Sequence, residues 1–209
     1  MEFSLASLTL AVGITGSADA HYRFSSLIAG GQTTTAYQYV RQNSNYNSPA
    51  SVGSNDLRCN TGANTGGSTQ TYPVTASTQV RFKMDQAIYH VGPSPVHISK
   101  APSTAPNYDG SGGWAKIYQI APTTTSSEIT WNTENKDTFA FTLPSSLAAG
   151  EHLLGIEHIA LHSMPAQFYS SYAQFEVPGK ISFPSGININ ICYPVLTSYS
   201  MPGPAVWSG

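Results

Sequence analysis

Glu157-His158-Ile159-Ala160-Leu161-His162-Ser163-Met164-Pro165-Ala166-Gln167-Phe168-Tyr169-Ser170-Ser171-Tyr172-Ala173-Gln174 is the stretch on which the fold turns. Two short alternating runs flank a turn that contains Pro165. That pattern predicts two strands meeting at a loop, with polar side chains converging where the loop closes. The stretch holds two of the chain's six histidines, two glutamines and two tyrosines between apolar residues. Polar groups this dense beside core positions need hydrogen-bond partners, an ion or a chemical task.

Working outward, the same alternation recurs. Ala36 to Arg41, Tyr72 to Thr75, Thr78 to Met84, Val96 to Lys100, Trp114 to Ile120, Ile129 to Trp131, Thr138 to Leu143, Glu151 to Leu161, Phe168 to Val177 and Ile187 to Ile191 all read as strands. His21 to Phe24 opens a strand that Ser26 to Gly31 turns. Asn43 to Asn60 reads as a long polar loop, Ala101 to Gly113 as a second loop, and Pro144 to Gly150 as a turn or one helical turn. No stretch carries a helical period. Many short strands separated by turn residues predict an all-β sandwich or barrel of one domain.

Composition agrees. Of 209 residues only 10% are charged, and Ser, Thr, Gly, Asn, Pro and Tyr supply the polar surface. No basic excess points to nucleic acid or an anionic membrane. A near-neutral surface rich in Tyr, Asn and Ser suits an uncharged partner such as a polysaccharide. Leu5 to Val12 is apolar but too short to span a bilayer. Ala18-Asp19-Ala20 follows as an A-x-A-like cleavage site, so residues 1–20 read as a secretory signal and residues 21–209 as the mature domain, released outside the cell. Removing Glu2 and Asp19 leaves nine acids against nine bases. The mature chain then begins with His21. In a secreted chain the two cysteines, Cys59 and Cys192, suggest one disulfide closing a long loop, although sequence alone leaves the pairing open.

A terminal histidine offers two nitrogens, its α-amine and its ring. His90 precedes Val91-Gly92-Pro93, which sets a tight turn after it. Three nitrogens from His21 and His90 suit copper, which favours planar or tetragonal nitrogen sets. Zinc sites usually announce themselves by local Cys/His spacing, which is absent here. Hydrolytic readings fare worse. Glu151 and Glu157 do not announce a carboxylate pair across a cleft. His162 and Ser163 are neighbours that point to opposite faces of a strand, and a Gly-x-Ser-x-Gly elbow is missing. Glu157 reads better as the partner of a nearby polar group. His97, His152 and His158 read as packing or surface residues outside the site.

His21 at the cleavage site, Asp56-Leu57-Arg58-Cys59-Asn60, His90-Val91-Gly92-Pro93, Gly110-Ser111-Gly112-Gly113-Trp114-Ala115-Lys116-Ile117, Glu157 to Ser163 and Ala166-Gln167-Phe168-Tyr169 together resemble, in order, the fungal lytic polysaccharide monooxygenases of auxiliary activity family 9. The resemblance implies an immunoglobulin- or fibronectin-like antiparallel β-sandwich with long loops and a flat active face. It implies one copper ion, held by the amine and ring of His21 and by His90, with Tyr169 in the axial position. His162 and Gln167 would position the oxygen species, and Tyr199 would meet substrate on the flat face. Cellulose or another β-glucan would be cut by C1 or C4 hydroxylation. An external electron donor and hydrogen peroxide or dioxygen would be needed, and the chain would act as a monomer. The other function compatible with these residues is a non-catalytic relative that binds copper or polysaccharide.

Three departures from the family pattern stand out. The family joins the cysteine at position 59 to one three residues after the axial tyrosine, but Tyr172 stands there, which leaves Cys192 as the other candidate partner of Cys59. Gly155 stands where the family often has arginine. The segments between Gly179 and Ile187 and between His162 and Gln167 are short.

Overall fold

The computed structural model describes residues 21–45, 53–147, 149–176, 200–201 and 205–207. The signal segment, the strand expected over Ile187 to Ile191, Cys192 and Tyr199 lie outside the described residues. The architecture is the expected two-sheet sandwich. One sheet contains β1 (Phe24–Ala29), β2 (Gln32–Thr33), β4 (Gln79–Met84) and β9 (Thr138–Thr142) in the order β2-β1-β4-β9. The other contains β3 (Tyr72–Pro73), β5 (Ser94–Lys100), β6 (Ala115–Ile120), β10 (Glu151–Ala160) and β11 (Gln167–Glu176) in the order β3-β11-β10-β5-β6. A small hairpin of β7 (Thr123–Thr124) and β8 (Ile129–Thr130) stands apart. Pairing is antiparallel except between β3 and β11, which run parallel.

The stretch quoted first forms the centre of the larger sheet. β10 and β11 pair along their whole length, from Glu151 opposite Glu176 to Ala160 opposite Gln167. Successive side chains on a strand face opposite ways, and here both faces are covered. Leu154, Ile156, Ala173 and Phe175 enter the main core with Phe24, Phe82, Phe139 and Phe141 of the facing sheet. The opposite face carries Leu153 and Tyr172, packed with Cys59, Ala101, Ala105 and Tyr108. Ile159 and Phe168 close a third cluster with Leu161. Loop segments therefore seal the outer face of the sheet, which is why β10 and β11 read as dense apolar runs with polar insertions.

That loop layer is pinned by Arg41, which is 1% exposed. Its guanidinium donates to Gln174 Oε1 (3.1 Å) and to the carbonyls of Ala63 (3.0 Å), Ala105 (2.6 Å) and Tyr108 (2.7 Å). Cys59 is a buried free thiol beside it. The sulfur accepts from Arg41 Nη1 at 3.6 Å and donates to the Asp109 carbonyl at 3.5 Å. Burial pushes the Cys59 thiol up to about 11.

Two readings of the sequence need correction. Ala36 to Arg41 is not a strand, despite its alternation. Tyr37 has φ 61°, which breaks an extended run, and only Val40 makes an isolated bridge, to Ala173. Ser26 to Ala29 does not turn the first strand but continues it. The turn falls at Gly30 and Gly31, which take φ 56° and 82°.

Candidate metal centre

One end of the sandwich gathers the chain's polar aromatics. His21 and Tyr22 lead into β1. The His21 carbonyl accepts from Gln86 Nε2, and the Arg23 amide donates to Asp85 Oδ1 at 2.7 Å. The start of the domain is thereby held against the 85–90 segment. Tyr22 is fully buried. Its ring lies 4.6 Å from Tyr169, 5.6 Å from His158, 6.0 Å from His90 and 6.1 Å from Tyr89, so it forms the floor on which the other rings stand.

His90 arrives by a different route. Pro93 accepts a hydrogen bond from the Ile159 amide (3.0 Å) and Val91 from the Leu161 amide (2.8 Å), so residues 91–93 run beside the end of β10. Gly92 lies between them, and a Cβ there would stand 1.8 Å from the Ile159 carbonyl oxygen. Only glycine permits that approach. Thr133 Oγ1 donates to the Gly92 carbonyl at 2.6 Å and closes the turn from the other side. The result sets His90 and His162 ring on ring, with centroids 3.6 Å apart and planes 7° from parallel.

The predicted site residues come together with one outside view. The rings of His21 and His90 are 6.5 Å apart. Tyr169 stands nearly equidistant from both, at 6.0 and 6.1 Å. Its hydroxyl donates to Gln167 Oε1 at 2.7 Å. Burial raises the Tyr169 phenol above its ordinary value, so it stays protonated and keeps that donor at neutral pH. His162 is held below the usual imidazole range by burial and by the charge of His21. Tyr199 lies outside the described residues.

The residue that sequence reasoning missed is His158. It is fully buried, sits opposite Tyr169 in the β10–β11 register, and contacts the His90 carbonyl through Nε2 at 3.0 Å and Ser94 Oγ through Nδ1 at 3.1 Å. A carbonyl can only accept, so Nε2 carries the proton and Nδ1 accepts from Ser94. Burial pushes His158 down to about 3, with a smaller contribution from the neighbouring His90 and His162, so the ring is neutral. The local sequence carries no sign of this, because both partners lie more than sixty residues away. Glu157, on the other face, accepts from Ser170 Oγ at 2.9 Å and is the polar partner expected of it.

Two large apolar side chains are exposed beside the polar cluster. Among the described residues the exposed large hydrophobics are Tyr89, Met164 and Val206. Tyr89 is ring-to-ring with His90 at 4.4 Å, and Met164 follows His162 by two positions.

An antiparallel sandwich with a histidine and tyrosine cluster at the start of its first strand defines a class. Solved structures of similar fold include a cellulose-active polysaccharide monooxygenase from M. thermophila, with TM-score 0.73 and 23% identity over 90% of this chain and 100% of that one. CvAA9A superposes with TM-score 0.70 and 26% identity over 90% and 98%. Residues 21–205 match the model of Auxiliary Activity family 9, formerly GH61. Lytic polysaccharide monooxygenase C of Emericella nidulans is 41% identical, covering 99% of this chain and 97% of that protein. Lytic polysaccharide monooxygenase E of Podospora anserina is 42% identical, over 98% and 74%. The chain belongs to Auxiliary Activity family 9.

Proposed function

We propose that the protein is a secreted copper-dependent lytic polysaccharide monooxygenase that cleaves cellulose or a related β-1,4-glucan by hydroxylation at C1 or C4. The observation that carries this reading is the placement of His21, His90 and Tyr169 around one point at the start of the domain. Two imidazoles bound on opposite sides of one ion at about 2.0–2.1 Å per metal–nitrogen bond have ring centroids roughly 6–6.5 Å apart. The 6.5 Å between His21 and His90 fits that span. Among the described residues no group of three or more His, Cys, Asp or Glu side chains converges to hold an ion. Cleavage at Ala20 would free the α-amine of His21 as a third nitrogen donor beside the two rings. An all-nitrogen set without carboxylate or thiolate suits copper better than calcium, magnesium or structural zinc.

Bound copper supplies the one-electron redox chemistry by which peroxide or dioxygen hydroxylates an unactivated C–H bond. The protein's own residues set the stage for it. His21 and His90 would hold the ion and Tyr169 would limit access to it, its hydroxyl fixed by Gln167. The stack on His162 holds the plane of the His90 ring. Tyr89 and Met164 present apolar surface to the C–H faces of sugar rings, the contact that aromatic side chains make well. A carbon hydroxylated beside the glycosidic bond would then lose the neighbouring sugar by elimination.

The experiment is direct. The chain secreted with His21 at its terminus, loaded with copper and given a reductant and hydrogen peroxide, should release oxidised oligosaccharides from cellulose. Copper binding with only background cleavage would replace this reading with that of a non-catalytic relative.

A further inference from the structure

We infer that His158, buried beneath the cluster, is a positioning residue for His90, locking the backbone from which the His90 ring projects through a relay Ser94 Oγ–H to His158 Nδ1 and His158 Nε2–H to the His90 carbonyl. The inference rests on the reading of His90 as a metal ligand only for its consequence; the relay itself is a property of the folded chain.

Four observations converge on it. Both ring nitrogens of His158 are engaged, at 3.1 and 3.0 Å, and the acceptor at one end is a main-chain carbonyl, so the tautomer is fixed. Ser94 begins β5 and is fully buried, so the relay is anchored in the strand next to β10 rather than in a loop. His158 lies opposite Tyr169 in register and edge-on to Tyr22 at 5.6 Å. It therefore touches the floor of the cluster as well as the backbone of one of its walls. Finally, the rest of the 88–92 segment is held through its other residues: the Ile88 amide donates to Lys136, the Asn135 amide to Ile88, the Leu161 amide to Val91 and Thr133 to Gly92. His158 is the side chain that reaches the carbonyl of His90 itself from below. Hydrogen bonds one step removed from a ligand orient it and tune what it holds. Here the orienting bond goes to the ligand's main chain, so it fixes the direction of the Cα–Cβ bond and with it the stack on His162.

Glutamine can reproduce the essential donor, whereas leucine of similar bulk cannot. Three variants separate positioning from packing: His158→Gln, His158→Leu and Ser94→Ala. Two readouts are used, one without metal. In the metal-free processed chain, nitrogen-15 NMR should show His158 as the Nε2–H tautomer, with nuclear Overhauser contacts between the His90 and His162 rings. Those contacts should persist in H158Q and vanish in H158L, while S94A shifts the His158 Nδ1 resonance and leaves the Nε2–H tautomer in place. In the copper-loaded chain, H158L should weaken copper binding by tenfold or more and change the electron paramagnetic resonance spectrum. H158Q should stay within about threefold of the parent with the same spectrum. Loss of the ring contacts in H158Q as in H158L would overturn the proposal, as would contacts and copper affinity unchanged in H158L. A parent chain that binds no copper would instead sink the functional reading, and the metal-free measurement would still decide the role of His158. Should H158L fail to fold, S94A decides: an unchanged His158 Nδ1 chemical shift there rules the relay out.

Discussion

The ring of Tyr172 occupies the space above Gly155. The two residues stand directly opposite each other in β11 and β10, and a Cβ on Gly155 would meet Tyr172 Cε1 at 2.3 Å. The tyrosine hydroxyl then donates to the Leu57 carbonyl at 2.9 Å, two residues before Cys59. What reads in sequence as two separate departures from the family pattern is one packing exchange. The small residue at 155 admits the aromatic at 172, and a hydrogen bond ties β11 to the 53–60 loop. Tyr172 also packs edge-on against Trp114 at 5.2 Å.

The exchange makes a coupling measurable. Gly155→Arg alone should destabilise the protein by about 1–3 kcal/mol, the cost of overpacking a filled site. With Tyr172→Cys already present, the same change should cost much less. Urea unfolding of the two single variants and the double variant closes the cycle, and additive effects would show that the residues act independently. Tyr172→Phe should cost about 1–2 kcal/mol by leaving the Leu57 carbonyl without its donor.

Arg41 should be the costliest side chain to remove from the loop layer. Arg41→Met strands the carbonyls of Ala63, Ala105 and Tyr108 and leaves Gln174 Oε1 without its donor. We expect a loss of roughly 3 kcal/mol or more, read as a lower urea midpoint. An unchanged midpoint would mean that water satisfies those groups.

Stability should fall on both sides of mildly acidic pH, for opposite reasons. Burial pushes Glu157 up from 4.5 to about 7. Between those values the folded chain holds a proton that the unfolded chain has released, so this group removes stability as pH rises through that window. Burial pushes His97 and His152 down from 6.5 to about 4, and His158 to about 3. Below 6.5 the unfolded chain binds protons that the folded one refuses, so these groups remove stability as pH falls. Glu157→Gln should raise the melting temperature at pH 8 and leave it nearly unchanged at pH 4. An equal effect at both values would contradict the burial of that carboxyl.

Tyr89 and Met164 should matter for substrate and little for folding. Tyr89→Ala should weaken adsorption to cellulose several-fold, on the scale of about 1 kcal/mol for one aromatic contact, with a melting temperature close to the parent's. The check is depletion from solution by microcrystalline cellulose, with soluble copper binding as the control.

Much of this was legible beforehand, for local reasons. β10 and β11 were readable to within a residue because alternation runs up to a proline-containing turn on both sides. The approach of His21, His90, His162, Gln167 and Tyr169 came from motifs whose spacing survives in this chain. Ala36 to Arg41 misled because alternation cannot reveal a residue such as Tyr37 at φ 61°. His158 was passed over because a histidine in an apolar strand looks the same whether or not a carbonyl lies above it. Its two partners are 64 and 68 residues distant. The link between Gly155 and Tyr172 was hidden for the same reason, since register across a hairpin appears only when the strands are paired.

The central claim is that the metal centre is completed by the amino terminus of His21. Isothermal titration of copper into the processed chain, beside the same chain carrying one extra residue before His21, tests it most directly. Tight one-to-one binding by the first and its loss in the second is the expected result, because the extension turns the α-amine into an amide that cannot bind the ion in the same way. Equal affinity in both chains would contradict it.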